Sequence, residues 1–151
     1  MHYVVLKFVH IVLAIVAVGF TSTFGLLSVR AAKAGGDGRE MAFALKAIVA
    51  MSSIAHACFV LLLVTGLLMV WRVGYSYAFV WIYLSLILFA IAFLAGWFVM
   101  VPSAKRRIAI LADRGPSDPE FIALSKRAAT LGPALSILAL IIIWLMVAKP
   151  V

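Results

Sequence analysis

Four long apolar stretches decide what this chain can fold into. Residues 3–29, 47–71, 79–101 and 131–148 each supply the roughly 20 helical residues needed to cross a hydrocarbon core. Backbone donors and acceptors in lipid have to be satisfied within the segment, and none of the stretches shows the alternation of a barrel strand, so all four are expected to be helices. The predicted fold is therefore all-α, a single four-transmembrane-helix bundle over residues 1–151 built from two helical hairpins. Composition agrees: 67% of residues are hydrophobic and 12% charged, about half the charge of ordinary soluble domains. The first stretch has no basic cluster ahead of it and is about twice the length of a signal-peptide core, which predicts a retained spanning helix.

Charge sets the expected orientation. Of 13 Lys and Arg residues, ten surround the first and third connections: Arg30, Lys33, Arg39, Lys46, Lys105, Arg106, Arg107, Arg114, Lys126 and Arg127. The remaining three, Lys7, Arg72 and Lys149, belong to the opposite side. The positive-inside rule places both long connections in the cytoplasm and both termini outside. Basic residues grouped in this way act as topology determinants and attract anionic lipid. The bilayer, not nucleic acid, is the expected partner.

Helix breakers mark the turns. Gly35-Gly-Asp-Gly38 closes the first hairpin, with the second helix starting near Arg39. Ser117-Asp-Pro-Glu120 fits a capping box with proline in the first turn, so the fourth helix is expected to begin near Pro119 and to enter the membrane around Leu131. Pro133 should kink it. All five acids, Asp37, Glu40, Asp113, Asp118 and Glu120, lie in the connections, which disfavours a carboxylate-driven pump. The single cysteine, Cys58, reads as a small buried hydrophobe.

Polar residues inside the apolar stretches are the candidate functional positions. Tyr3, Lys7, His10, Ala14, Ala17, Thr21, Phe24 and Ser28 repeat at spacings of three and four along the first helix, so His10 is expected to face the bundle. Ser52, His56, Phe59, Leu63 and Gly66 share a face of the second helix, and Ser85, Phe89, Ala92 and Gly96 one of the third. Counted from the outer ends, His10 lies about 10 Å deep and His56 about 22 Å deep. That mismatch disfavours one haem clamped by both imidazoles. His10 alone, or with Met69 from the outer half of the second helix or a water, is the better-placed ligand set. His56 is expected to be a packed histidine bonded to a serine hydroxyl or a backbone carbonyl. Trp71, Tyr75, Tyr77, Trp81 and Tyr83 form an interfacial aromatic belt.

Leu6-Lys-Phe-Val-His-Ile11, Val64-Thr-Gly-Leu-Leu68, Trp81 at the start of the third helix and Leu145-Met-Val-Ala-Lys-Pro150 together resemble a bacterial family of four-helix membrane proteins, domain of unknown function 2269. That family is distantly similar to the J-type protoporphyrinogen oxidases and to CopD-like copper-resistance membrane proteins. The oxidase resemblance implies a haem b site at its first-helix histidine, which corresponds to His10. The oxidase lysine four residues after the tryptophan corresponds to Ser85, and of its Asn-Glu-x-Pro motif Thr130-Leu-Gly-Pro133 keeps the proline alone. These departures leave the oxidase activity untransferred.

Three expectations follow for a multi-pass protein of the bacterial inner membrane. The first is a haem b or tetrapyrrole site near His10, redox or quinone-linked, with Lys7 pairing a propionate and Met69 or His56 as further candidate contacts. The second is a noncatalytic subunit or scaffold, whether alone or as a homo-oligomer, whose histidines pack. The third is passage of copper or a small solute along His10, Met69 and the outer Met1-His2. No set of catalytic side chains is legible, and whether the protein is an enzyme stays open.

Overall fold

The computed structural model describes the backbone of residues 2–34 and 38–150 and the side chains of residues 3–23 and 38–150. Residues 35–37 of the predicted first turn, the Met1-His2 pair, and Phe24 and Ser28 of the first-helix stripe lie outside the described side chains. Five α-helices and one π-helical segment follow in order: α1 (His2–Ala34), α2 (Arg39–Val73), α3 (Val80–Ala95), the π segment (Gly96–Met100), α4 (Val101–Asp113) and α5 (Pro119–Ala148). Among the described residues four helical rods are long and apolar enough to cross a membrane, because α3, the π segment and α4 run on as one. No strand occurs among the described residues.

Local chemistry explains the helix ends. Gly38, at φ 82°, precedes α2, and Gly74, at φ 76°, closes it by donating its N–H to the carbonyls of Val70 and Trp71. Only glycine adopts that left-handed geometry without a Cβ penalty. Asp118 caps α5, its carboxylate accepting from the N–H groups of Glu120 and Phe121 at 2.9 and 3.2 Å. The sequence pattern alone puts the neighbouring Ser117 first in that box. Asp118 takes the role because Pro119 then falls on the first helical position, where its missing N–H costs nothing. α5 continues through Pro133.

The third rod outruns its predicted span by a dozen residues, and its register changes on the way. Pro102 has no N–H for the carbonyl four residues back, and the turn before it widens: Val101 N–H reaches five residues to the carbonyl of Gly96. This π turn, which the sequence reading missed, joins the spanning half of the rod to α4.

The longest helix seam is α1 on α2; α5 packs on α1, α3 and α4, and α4 also packs on α2. Two small apolar cores result. Leu45, Ala104, Ile110 and Phe121 join α2, α4 and α5 at the basic end. Val70, Trp81, Ile82 and Leu145 join α2, α3 and α5 at the other. There Lys149 lies over the rings of Tyr75 and Trp81, 5.4 and 5.6 Å from their centroids, fastening the end of α5 to the α2–α3 connection. Most remaining Leu, Ile, Val and Phe side chains face outward, as a lipid solvent demands.

Candidate functional site

His10 and His56 each sit on a glycine of another helix. His10 of α1 meets Gly66 of α2 so closely that a Cβ built on the glycine would lie 3.1 Å from the imidazole Cε1 and 3.8 Å from Nδ1. His56 of α2 meets Gly96 at the start of the π segment, where a Cβ would lie 3.5 Å from Nε2. At Gly66 the absence of a side chain makes room for the ring; at Gly96 a Cβ would meet the imidazole at ordinary contact distance.

Hydrogen bonding then fixes each ring. His10 Nδ1 lies 2.8 Å from the hydroxyl of Thr65. That hydroxyl's one proton is directed at the carbonyls of Leu61 and Leu62, 2.9 and 3.0 Å away. Its oxygen is therefore left to accept, so His10 Nδ1 carries the proton and donates it. His56 Nδ1 donates to the carbonyl of Ser52 at 2.6 Å. In both imidazoles Nε2 keeps its lone pair. This orientation suits a metal-ligating histidine and equally suits one that locks two helices together.

The two sites are separate. His10 is level with Thr65 and Gly66, nine and ten residues along α2 from His56, which is about 14 Å at 1.5 Å per residue. The axial mismatch expected from depth is thus retained. His56 lies in an aromatic ladder between α2 and the third rod, with ring centroids 5.7 Å from Phe93 and 4.8 Å from Trp97, both edge-on. Phe59 and Phe89 extend the ladder at 5.9 Å. Its carbonyl-bonded, packed state matches the expectation from sequence.

Other predicted contacts do not assemble around His10. Lys7 is exposed and Met69 half-buried, and the hydrogen-bond partner that His10 does find is Thr65. Among the described residues no three His, Cys, Asp or Glu side chains are grouped as metal ligands. Ser85, where the oxidase resemblance would put a lysine, is buried with its hydroxyl unpartnered. The single face proposed for α2 divides: Gly66 serves α1, whereas His56 and Phe59 serve the third rod. Gly96, on the face that Ser85, Phe89 and Ala92 share in the sequence, lies against the imidazole of His56.

A tetrapyrrole requires volume as well as a nitrogen. One to two turns from His10 toward the N-terminal end of α1, Tyr3, Leu6, Leu68, Trp71 and Arg72 line a recess of about 120 Å³. Ligand sites of that class enclose roughly 300–1,000 Å³. The recess is well below that size, and His10 is not among the residues that line it.

At the basic end, Glu120 accepts from Arg106 Nε and Nη2 at 2.8 and 3.2 Å and from Arg114 at 2.7 Å. These bonds, that of Arg106 first, hold the Glu120 carboxyl below the ordinary carboxylate range. Arg107 differs: it is 4% exposed, and its Nε has no acceptor.

Comparison with known proteins gives no match among curated proteins and none among solved structures. A family model described as a predicted integral membrane protein matches residues 4–150. That match spans all four apolar rods, and the chain belongs to the DUF2269 family of predicted integral membrane proteins.

Proposed function

We propose that the protein is a noncatalytic four-helix membrane subunit in which His10 acts as a polar lock between helices. The seat of His10 carries this reading: its Nδ1–H is given to Thr65 at 2.8 Å and its ring fills the space above Gly66. A buried hydrogen bond and a shape-matched ring at the longest seam are what a packing element needs. His56, whose Nδ1–H is bonded within α2 to Ser52, adds ring packing against Gly96 and Trp97 of the third rod.

A second reading, haem b or tetrapyrrole binding at His10 with electron exchange to quinone, is favoured by the unspent Nε2 lone pair. Absorbance of the detergent-purified protein, oxidised and reduced and with hemin supplied, separates the two. The subunit reading expects no Soret band above that of free hemin, and a lower unfolding midpoint in both His10→Ala and Thr65→Val. A Soret band that His10→Ala abolishes while the fold survives would replace it with the haem reading.

A further inference from the structure

We propose that the groove between α4 and α5 is a binding site for the phosphate head group of an anionic glycerophospholipid. The groove encloses about 400 Å³, within the roughly 300–1,000 Å³ of ligand sites. The π turn and Pro102 form one wall, lined by Phe98, Val99 and Met100. Leu124, Arg127, Ala128 and Leu131 of α5 form the other.

Polarity is graded along it. Arg106 and Ser103 lie toward the basic end, while Phe98 and Leu131 lie toward the middle of the spanning rods, with Arg127 between. Arg106 already spends Nε and Nη2 on Glu120, which holds its guanidinium in place and leaves Nη1 to give. Arg127 makes no ion pair with an acid among the described residues. A guanidinium at the boundary of a spanning segment is matched by a phosphate, which accepts charge-assisted bonds from both arginines and from the Ser103 hydroxyl. The apolar floor below suits acyl chains. Charge complementarity together with the apolar continuation selects a lipid over a soluble anion.

The test is lipid binding to the full chain in dodecyl maltoside, read by native mass spectrometry and by the thermal midpoint. The probes are dimyristoyl phosphatidylglycerol, its phosphatidylcholine counterpart and glycerol 3-phosphate. The expected result is at least tenfold tighter retention of phosphatidylglycerol than of phosphatidylcholine, with a raised midpoint and no response to glycerol 3-phosphate. Arg127→Gln and the groove-filling Ala128→Trp should each abolish that preference, whereas Lys126→Gln, which removes a neighbouring charge outside the groove, should leave it within twofold. Equal retention of the two lipids, or an equal loss in Lys126→Gln, would overturn the site in favour of diffuse surface charge. Glycerol 3-phosphate binding as tightly as the lipid would overturn the lipid assignment.

Discussion

If His10 and Gly66 are complementary shapes, one substitution must change sign when the other residue is altered. In the native chain, Gly66→Ala places a Cβ 3.1 Å from His10 Cε1, about 0.3 Å inside the 3.4 Å at which ordinary contact begins. The ring has to withdraw by that amount while tied to Thr65 by a 2.8 Å bond. A methyl forced into a fitted contact costs about 1 kcal/mol or somewhat more. Alanine for glycine inside a helix returns about 0.5–1 kcal/mol. The two nearly cancel, with a net loss of up to about 0.5 kcal/mol. In a His10→Ala background the cost vanishes, because the atoms within 4 Å of that Cβ all belong to His10. Gly66→Ala should then stabilise by about 0.5–1 kcal/mol, a coupling of about 1 kcal/mol between positions 10 and 66. Reversible unfolding in mixed micelles titrated with dodecyl sulfate, followed by far-ultraviolet circular dichroism, resolves a difference of this size. Equal stabilisation in both backgrounds would refute the glycine seat.

Gly96 obeys a weaker version of the same constraint. At 3.5 Å from His56 Nε2, Gly96→Ala should be tolerated, whereas Gly96→Leu should lose about 1–3 kcal/mol and Ala90→Leu, on an exposed position, less than about 0.5; equal losses from the two leucines in the same titration would remove Gly96 from the contact. Arg107 is buried with an unpartnered Nε, so Arg107→Met, which keeps the aliphatic volume, should raise the thermal midpoint by the equivalent of about 1–3 kcal/mol, and a fall would mean that the guanidinium is paired. For orientation, alkaline phosphatase fused after Gly115 should be inactive and fused at Tyr75 active, as ten basic residues against three require; activity at Gly115 would reverse the topology.

The starts of α2 and α5 were legible because glycine, aspartate and proline act within one turn of where they stand. The extension of the third rod to Asp113 was not. Gly96 and Pro102 each signal a helix boundary when read alone, yet together they are accommodated by a π turn that keeps the rod going. The α2 face spanning Ser52 to Gly66 failed for a different reason. Residues at seven-residue intervals drift by about 20° per heptad on a straight helix. That drift adds to the ordinary width of a stripe: His56 and Gly66, ten residues apart, stand about 80° apart around the axis at 3.6 residues per turn, and serve the third rod and α1 respectively.

The partner of His10 was within reach of the sequence all the same. Counting inward from Trp71 at the outer end of α2 puts Thr65 about 9 Å deep, beside the about 10 Å found for His10 from the other helix. Two short hydroxyl and glycine signals, Thr65 and Gly66, therefore stand at the height where an imidazole requires a hydrogen-bond acceptor and space. Depth alone brings them level, but rotation about the helix axis decides whether they meet, and a pattern of small residues fixes that rotation only to within a face. Met69, one turn further along α2, misses that level by about 6 Å at 1.5 Å per residue and stays half-buried, while Thr65 takes the bond. Polar groups in an apolar seam are thus paired by height first and by rotation second, and the threonine wins because its own proton is already committed to α2, leaving an oxygen free to accept from His10.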